Sequence, residues 1–171
     1  MKETTIFKGI IFDLVRAEFD GGDHTIVRDV IRHPGGVGIL VIDQGKVLLV
    51  SQPRQAIGKQ TWEIPAGKLE YGENPKECGI RELNEETGYE CSSFDYFTSF
   101  YSTPGFCDEK IYLFQAKDPT PVKNKLDQDK DENITHQWFD LDKAIEMIQE
   151  GIIDDAKTII ALQHALIERM K

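Results

Sequence analysis

Apolar and polar residues alternate in two stretches near the start of the chain, residues 10–16 and 26–31, on either side of the turn-forming Asp20-Gly21-Gly22-Asp23. A period of two broken by glycine and aspartate predicts a β-hairpin. His33-Pro34-Gly35-Gly36 ends the pattern, and two uninterrupted apolar runs follow, 37–42 and 47–50, joined by the turn Asp43-Gln44-Gly45-Lys46. Runs of this kind predict strands buried on both faces at the centre of a main sheet. Further short strands are predicted at 62–64, 94–100, 111–116 and 135–139.

Three helices carry clear start and stop signals. Asn74-Pro75 opens the first, with asparagine as the cap, proline at the first helical position and Glu77 placed to complete a capping box; Gly88 stops it. The second starts at Asp140, carries Leu141, Ala144, Ile145 and Ile148 on one face and ends at Gly151, and the third spans about 155–170. Strands interspersed with helices, two of them at the end, predict an α/β domain with a mixed sheet covered by helices. The polar stretch 117–132 is read as a functional loop or lid.

A length of 171 residues suits one globular domain, and 40% apolar with 29% charged residues excludes collagen, disulfide scaffolds and disordered tails. Twenty basic against thirty acidic side chains give a net charge of −10, which argues against nucleic acid as a partner. A phosphate-bearing ligand on such a chain needs metal ions for positive charge. The three cysteines, Cys78, Cys91 and Cys107, form no close pair and are expected as reduced thiols in the cytoplasm. A polar start and the absence of ~20 consecutive apolar residues predict neither a secretory leader nor a membrane span. His24, His33, His136 and His164 lack metal-ligand spacing and are read as polar or core residues, and Gly36-Val37-Gly38 lacks the third glycine of a dinucleotide fingerprint.

The chemistry concentrates in Gly67-Lys68-Leu69-Glu70-Tyr71-Gly72-Glu73, seven residues, and then Arg81-Glu82-Leu83-Asn84-Glu85-Glu86-Thr87-Gly88-Tyr89. On a helix Glu82, Glu85 and Glu86 share one side, with Ile80, Leu83 and Thr87 opposite. Like charges at this spacing repel by a few tenths of a kcal/mol per pair. An isolated pair of glutamates is ordinarily a solvated face, but this cluster suits hard cations such as magnesium, manganese or calcium better than zinc. Cys78 and Gly79, being small, are expected to leave room above the carboxylates for a ligand.

The whole string resembles the Nudix signature at every fixed position except the last, where Tyr89 stands for an aliphatic residue. Pro104, sixteen residues after Gly88, resembles the marker of the ADP-ribose pyrophosphatase branch. Gln52-Pro53-Arg54, Glu63-Ile64-Pro65-Ala66-Gly67 and the segment 151–158 resemble that branch too. The resemblance implies a Nudix fold, an α/β/α sandwich with a mixed sheet, preceded by an antiparallel β element over 1–35 that serves dimerisation, with the hydrolase domain over 36–171. It implies Mg2+- or Mn2+-dependent hydrolysis of ADP-ribose to AMP and ribose 5-phosphate. The alternatives are other nucleoside diphosphate sugars or damaged nucleotides as substrate, or a nucleotide-sensing domain without catalysis.

By the same resemblance Glu82, Glu86, Glu85 and the Ala66 carbonyl hold metal, Glu132 is the general base, and Glu85 is assigned a catalytic role as well. Arg54, Arg28 and Pro104 are implied in substrate binding, Arg28 reaching the site of a partner subunit in a homodimer. Arg81 is expected to orient the carboxylates, and Glu73 to pack within the loop–helix unit.

Overall fold

The two apolar runs lie in β4 (Gly36–Asp43) and β5 (Lys46–Arg54), and in the computed structural model, which describes residues 2–128 and 133–171, both strands are covered on their two faces. Val37, Ile39 and Val41 pack with Cys78 and Leu83 of α1 (Pro75–Thr87). Leu40, Val47 and Leu49 pack on the other side with Leu141, Ala144 and Met147 of α2 (Leu141–Gln149) and with Ala161, Leu162 and Ala165 of α3 (Ala156–Arg169). Period-two alternation therefore sends successive apolar side chains into two separate cores, which removes the need for any polar position in the strand. Each such leucine or valine contributes about 1.5–3 kcal/mol by leaving water.

The sheet is mixed, as expected. Its order is β10 (Thr135–Asp140), β5, β4, β9 (Lys110–Pro121) and β8 (Tyr89–Tyr101), with β6 (Lys59–Glu63) on β5 and β7 (Ala66–Lys68) on β4. The β4–β9 pair is parallel, from Gly36 opposite Ile111 to Val41 opposite Ala116, and the other pairs in the sheet are antiparallel. Because β9 continues to Pro121, the predicted loop over 117–132 begins as strand.

The first helix starts and stops where its signals stand. The Asn74 side chain accepts the Lys76 N–H at 2.9 Å, and Gly88, at φ 72°, returns its N–H to the Asn84 carbonyl. The faces differ from the helical-wheel expectation: Leu83 and Thr87 are buried against the sheet, but Ile80 is 48% exposed. Cys78 and Gly79 do not open room for a ligand either. A Cβ at Gly79 would lie 2.8 Å from the Phe94 ring, so the small residue admits the core.

A separate antiparallel sheet precedes this body, in the order β1 (Lys2–Lys8), β2 (Asp13–Asp20), β3 (Thr25–Arg32). The β2–β3 hairpin is the predicted one, with Asp20 opposite Thr25, although β2 starts at Asp13 and leaves Ile10 98% exposed. The third strand is stitched to the body at its end. Ile31 donates to the Phe106 carbonyl at 2.7 Å and its own carbonyl accepts from Asp108, while the Asp108 carboxylate accepts the His33 N–H.

Candidate active site

Where β7 pairs with the opening residues of β4, Gly36 opposite Lys68 and Gly38 opposite Ala66, the sheet exposes its edge beside α1. A cleft of about 420 Å3 opens there, within the size range of small-molecule sites. Gly36, Val37, Ala66 and Gly67 line it from the strands, Arg81, Glu82, Glu85 and Glu86 from α1, Gln52 and Arg54 from β5, and Lys157 from α3; His33 and Glu109 also reach it.

The carboxylates on α1 are held differently from a solvated acidic face. Glu86 is 1% exposed, and its Oε2 accepts the Ala66 N–H at 3.0 Å, which ties the helix to the backbone of β7. Glu82 is also buried, packed so closely over Gly67 that a Cβ there would fall 2.0 Å from its carboxyl carbon. Arg81 collects three acids: one guanidinium nitrogen lies 2.9 Å from Glu82 and 2.8 Å from Glu85, and another lies 3.4 Å from Glu73. Partial burial pulls the Arg81 pKa down, but Glu82, Glu85 and Glu73 outweigh it and hold the group above its ordinary range. The Cys78 thiol, buried and near Glu82 and Glu73, is pushed up to about 12 and stays protonated. Among the described residues, no three His, Cys, Asp or Glu side chains already converge on one metal-sized position.

The other wall is built around one buried acid. Glu63 ends β6 with its side chain 2% exposed, and Arg54 grips it with two hydrogen bonds of 2.7 and 2.6 Å. Lys157 pairs with the same carboxylate and with Asp155 at 3.0 Å, and the Thr61 hydroxyl donates to Glu63 at 2.7 Å. One residue further on, the Ile64 N–H donates to the Thr158 hydroxyl, which in turn donates to Asp155. The first turn of α3 thus fastens both Glu63 and Ile64, immediately before Pro65-Ala66-Gly67. Burial alone would raise the Glu63 pKa, but the two Arg54 hydrogen bonds and Lys157 overcome it and hold the group at about 2, against 4.5 for an ordinary glutamate.

A depressed folded-state pKa contributes stability that is present above the unfolded value and lost as the pH falls toward the folded one. The Glu63 network therefore contributes roughly 3 kcal/mol at neutral pH, and that part fades from about pH 4.5 toward 2. Denaturant unfolding of the parent and of Glu63→Gln should show curves that converge as the buffer is taken from pH 6 to 3. A gap independent of pH would contradict the assignment.

Of the residues singled out in the sequence, Ala66, Glu82, Glu85, Glu86 and Arg54 come together in the cleft. Pro104 does not line it; it sits exposed in the turn after β8, where Thr103 accepts the Cys107 N–H. Arg28 lies on β3, its guanidinium donating to the Val27 carbonyl at 2.8 Å, and it does not line the cleft of its own chain. Glu132 lies outside the described residues. The described flanks of its segment are fixed: Gln128 donates to the carbonyls of Glu86 and Ile134 at 3.4 and 3.1 Å, and Leu126 donates to the Asn84 side chain.

Four contributors have no role assigned from the sequence: Glu63, Lys157, Thr158 and His33. The segments holding the first three resemble the ADP-ribose pyrophosphatase branch, and Glu63 adds a faint signal of its own, an acid wedged between Trp62 and Ile64 in an apolar strand. The pairing of Lys157 with Glu63 leaves no trace, because the two are ninety-four residues apart. His33, read as an ordinary polar or core residue, has only 12% of its side chain exposed and faces the cleft, its Nδ1 accepting the Gly35 N–H at 3.0 Å.

Known proteins resemble this chain over most of its length. The chain is 41% identical over 167 residues to a methanol dehydrogenase activator of Bacillus methanolicus, covering 96% of this chain and 90% of the relative. It is 37% identical over 162 residues to an ADP-ribose pyrophosphatase of Bacillus subtilis, covering 93% and 87%. A solved structure of an ADP compounds hydrolase superposes with a TM-score of 0.79 at 18% identity, covering 95% of this chain and 88% of that one, which speaks to the fold. The NUDIX domain model matches residues 32–162, the stretch that holds the acids of α1, the strand they fasten to and the cations of the facing wall; the chain belongs to the NUDIX family.

Proposed function

We propose that the chain hydrolyses the diphosphate of ADP-ribose with water, giving AMP and ribose 5-phosphate, with Mg2+ or Mn2+ as the metal. The observation that carries this reading is one cleft holding buried carboxylates of the Nudix signature, or Nudix box, together with two cations on another wall, in a chain similar over its length to an ADP-ribose pyrophosphatase. The residues fit a hard divalent cation: Glu82 and Glu86 offer carboxylate oxygens, Glu85 lies beside them, and Gly67 leaves space that a side chain would deny. When bound, the ion draws charge from the diphosphate and makes a water more acidic. The Ala66 peptide, tied to Glu86, completes the proposed ligand set. Arg81 keeps the three acids of its cluster from repelling one another apart.

Glu132 is proposed as the group that takes the water's proton, with Glu85 assisting. The clips from Gln128 and Leu126 to α1 support a base drawn from this segment, since they fasten its start beside the last turn of that helix. Arg54, which lines the cleft, is proposed to contact the substrate.

The N-terminal element over 1–35 is proposed as a dimerisation element for a second copy, in which Arg28 reaches the neighbouring site. Its support is apolar exposure: Ile6, Phe7, Ile10, Ile11 and Val27 are each about half exposed or more. Three thiols without disulfides support a cytoplasmic location. Among the described residues, no helix is long and apolar enough to cross a membrane.

Purified protein incubated with ADP-ribose and Mg2+ should release AMP and ribose 5-phosphate in equal amounts, and a chelator should abolish the release. Intact ADP-ribose beside a cleaved alternative nucleoside diphosphate sugar would reassign the substrate. No cleavage of any diphosphate-linked nucleotide would overturn the reading.

A further inference from the structure

The cleft is acidic, and one of its cations, Arg81, is spent on three carboxylates. A diphosphate carries two negative charges of its own, so its approach depends on cations held elsewhere on the lining. Arg54 and Lys157 both line the cleft, and both are fixed by Glu63 from behind. The arrangement differs from an ion pair that only adds stability. Glu63 is 2% exposed, whereas the side chain of Arg54 is 42% exposed, so the acid is the buried anchor and the guanidinium reaches the opening. Donor capacity points the same way. Arg54 uses its Nε and one Nη on Glu63, out of five N–H groups, and Lys157 uses two of three on Glu63 and Asp155. Beyond these bonds each side chain keeps further N–H donors.

We infer that Lys157 and Arg54 together grip the diphosphate of the substrate, making Lys157 a substrate-contacting residue, and that Glu63 is the positioning residue that holds both cations at the cleft. The inference rests on the proposed pyrophosphatase reading for the identity of the ligand. Glu63 is also three residues before Ala66 in the same segment, and Glu86 lies close enough to Arg54 to act on its charge. Cations and box acids therefore share one short piece of backbone as their common reference. Lys157 adds a second contact that the guanidinium alone cannot supply, because bidentate pairing fixes Arg54 in one plane.

The test uses binding as well as turnover. Titration of the full-length protein with ADP in the presence of Mg2+, followed by calorimetry, reads the diphosphate contact without any cleavage of ADP-ribose. Lys157→Met should weaken ADP binding about tenfold or more and lower kcat/KM for ADP-ribose by at least a similar factor. Lys157→Arg should recover most of the affinity. Glu63→Gln, which keeps the shape of the anchor, should weaken ADP binding at least as much, because both cations lose their fixed partner. A folded Lys157→Met protein that binds ADP as tightly as the parent would overturn the inference. So would loss of melting temperature in Glu63→Gln with unchanged ADP affinity, since that is the mark of a purely structural pair. Should Lys157→Met fail to fold, Lys157→Gln and Lys157→Arg decide between the same outcomes. If the parent binds ADP through Lys157 but leaves ADP-ribose intact, the cation contact stands and the substrate reading falls.

Discussion

Glu86→Gln is expected to lower kcat by about 10³-fold or more at saturating Mg2+, with little change in melting temperature. The two halves of this expectation have separate causes. Amide for carboxylate removes one negative charge from the proposed metal ligands, and stabilisation of a reacting diphosphate by a bound cation is worth several kcal/mol, with about 4 kcal/mol corresponding to 10³ in rate. The tie of Glu86 to the strand survives, in contrast: Oε2 accepts the Ala66 N–H at 3.0 Å, and the glutamine carbonyl oxygen can accept the same bond. Full occupancy of the bond is needed because the side chain is 1% exposed, where an orphaned N–H costs about 1–3 kcal/mol. Steady-state kinetics with ADP-ribose, beside thermal unfolding, checks both halves. Turnover near that of the parent would remove Glu86 from the metal site.

Gly67→Ala is expected to cost activity by at least about 10²-fold with a stability loss of only about 1–3 kcal/mol. A methyl at this position would meet Glu82 Cδ at 2.0 Å and Oε1 at 2.1 Å, far inside contact distance. The conflicting atoms belong to the end of a flexible side chain, so the chain can fold by swinging Glu82 aside. The same swing takes a proposed metal ligand out of the cleft and pulls at Arg81, whose guanidinium sits 2.9 Å from it. Gly79 differs in that its close neighbour is the Phe94 ring, set in the core, where displacement is expensive and the site is untouched. Kinetics across a Mg2+ series together with denaturant unfolding separates the effects: a folded Gly67→Ala protein with parental kcat would show that Glu82 can serve from another rotamer.

Much of this was legible because local rules and tertiary demands coincide. Asn74-Pro75 and Gly88 bound a helix by hydrogen bonds made within a few residues, and α1 begins and ends there. The apolar runs of β4 and β5 announced burial on two faces, which only a sheet between helices provides. The acids of α1 were legible as a group because the whole string around them resembles the Nudix signature, where an isolated glutamate pair would read as a solvated face. The first strand was not: Lys2–Lys8 is exposed along its whole length, so no core face imprints alternation on it. The far end of β9 was hidden for a related reason, since Lys117, Asp118 and Pro119 read as loop while the long partner β8 holds them in register. The pairing of Glu63 with Lys157 was beyond reach, although both segments resemble the pyrophosphatase branch, because residues ninety-four apart leave no periodic trace. The expected opening above Cys78 and Gly79 failed because a helical wheel gives direction but not what stands in that direction.

The grip of α3 on Ile64 and Glu63 also orders events during synthesis. A ribosome makes the box, the sheet strands and Arg54 well before it reaches Lys157 and Thr158, and domains acquire contacts as their segments emerge. A nascent chain stalled before that turn carries its acids but lacks both the lysine and the hydroxyl that braces Ile64. The cleft is therefore finished only when the first turn of α3 has left the exit tunnel, which withholds a complete anion grip from any product truncated before Lys157.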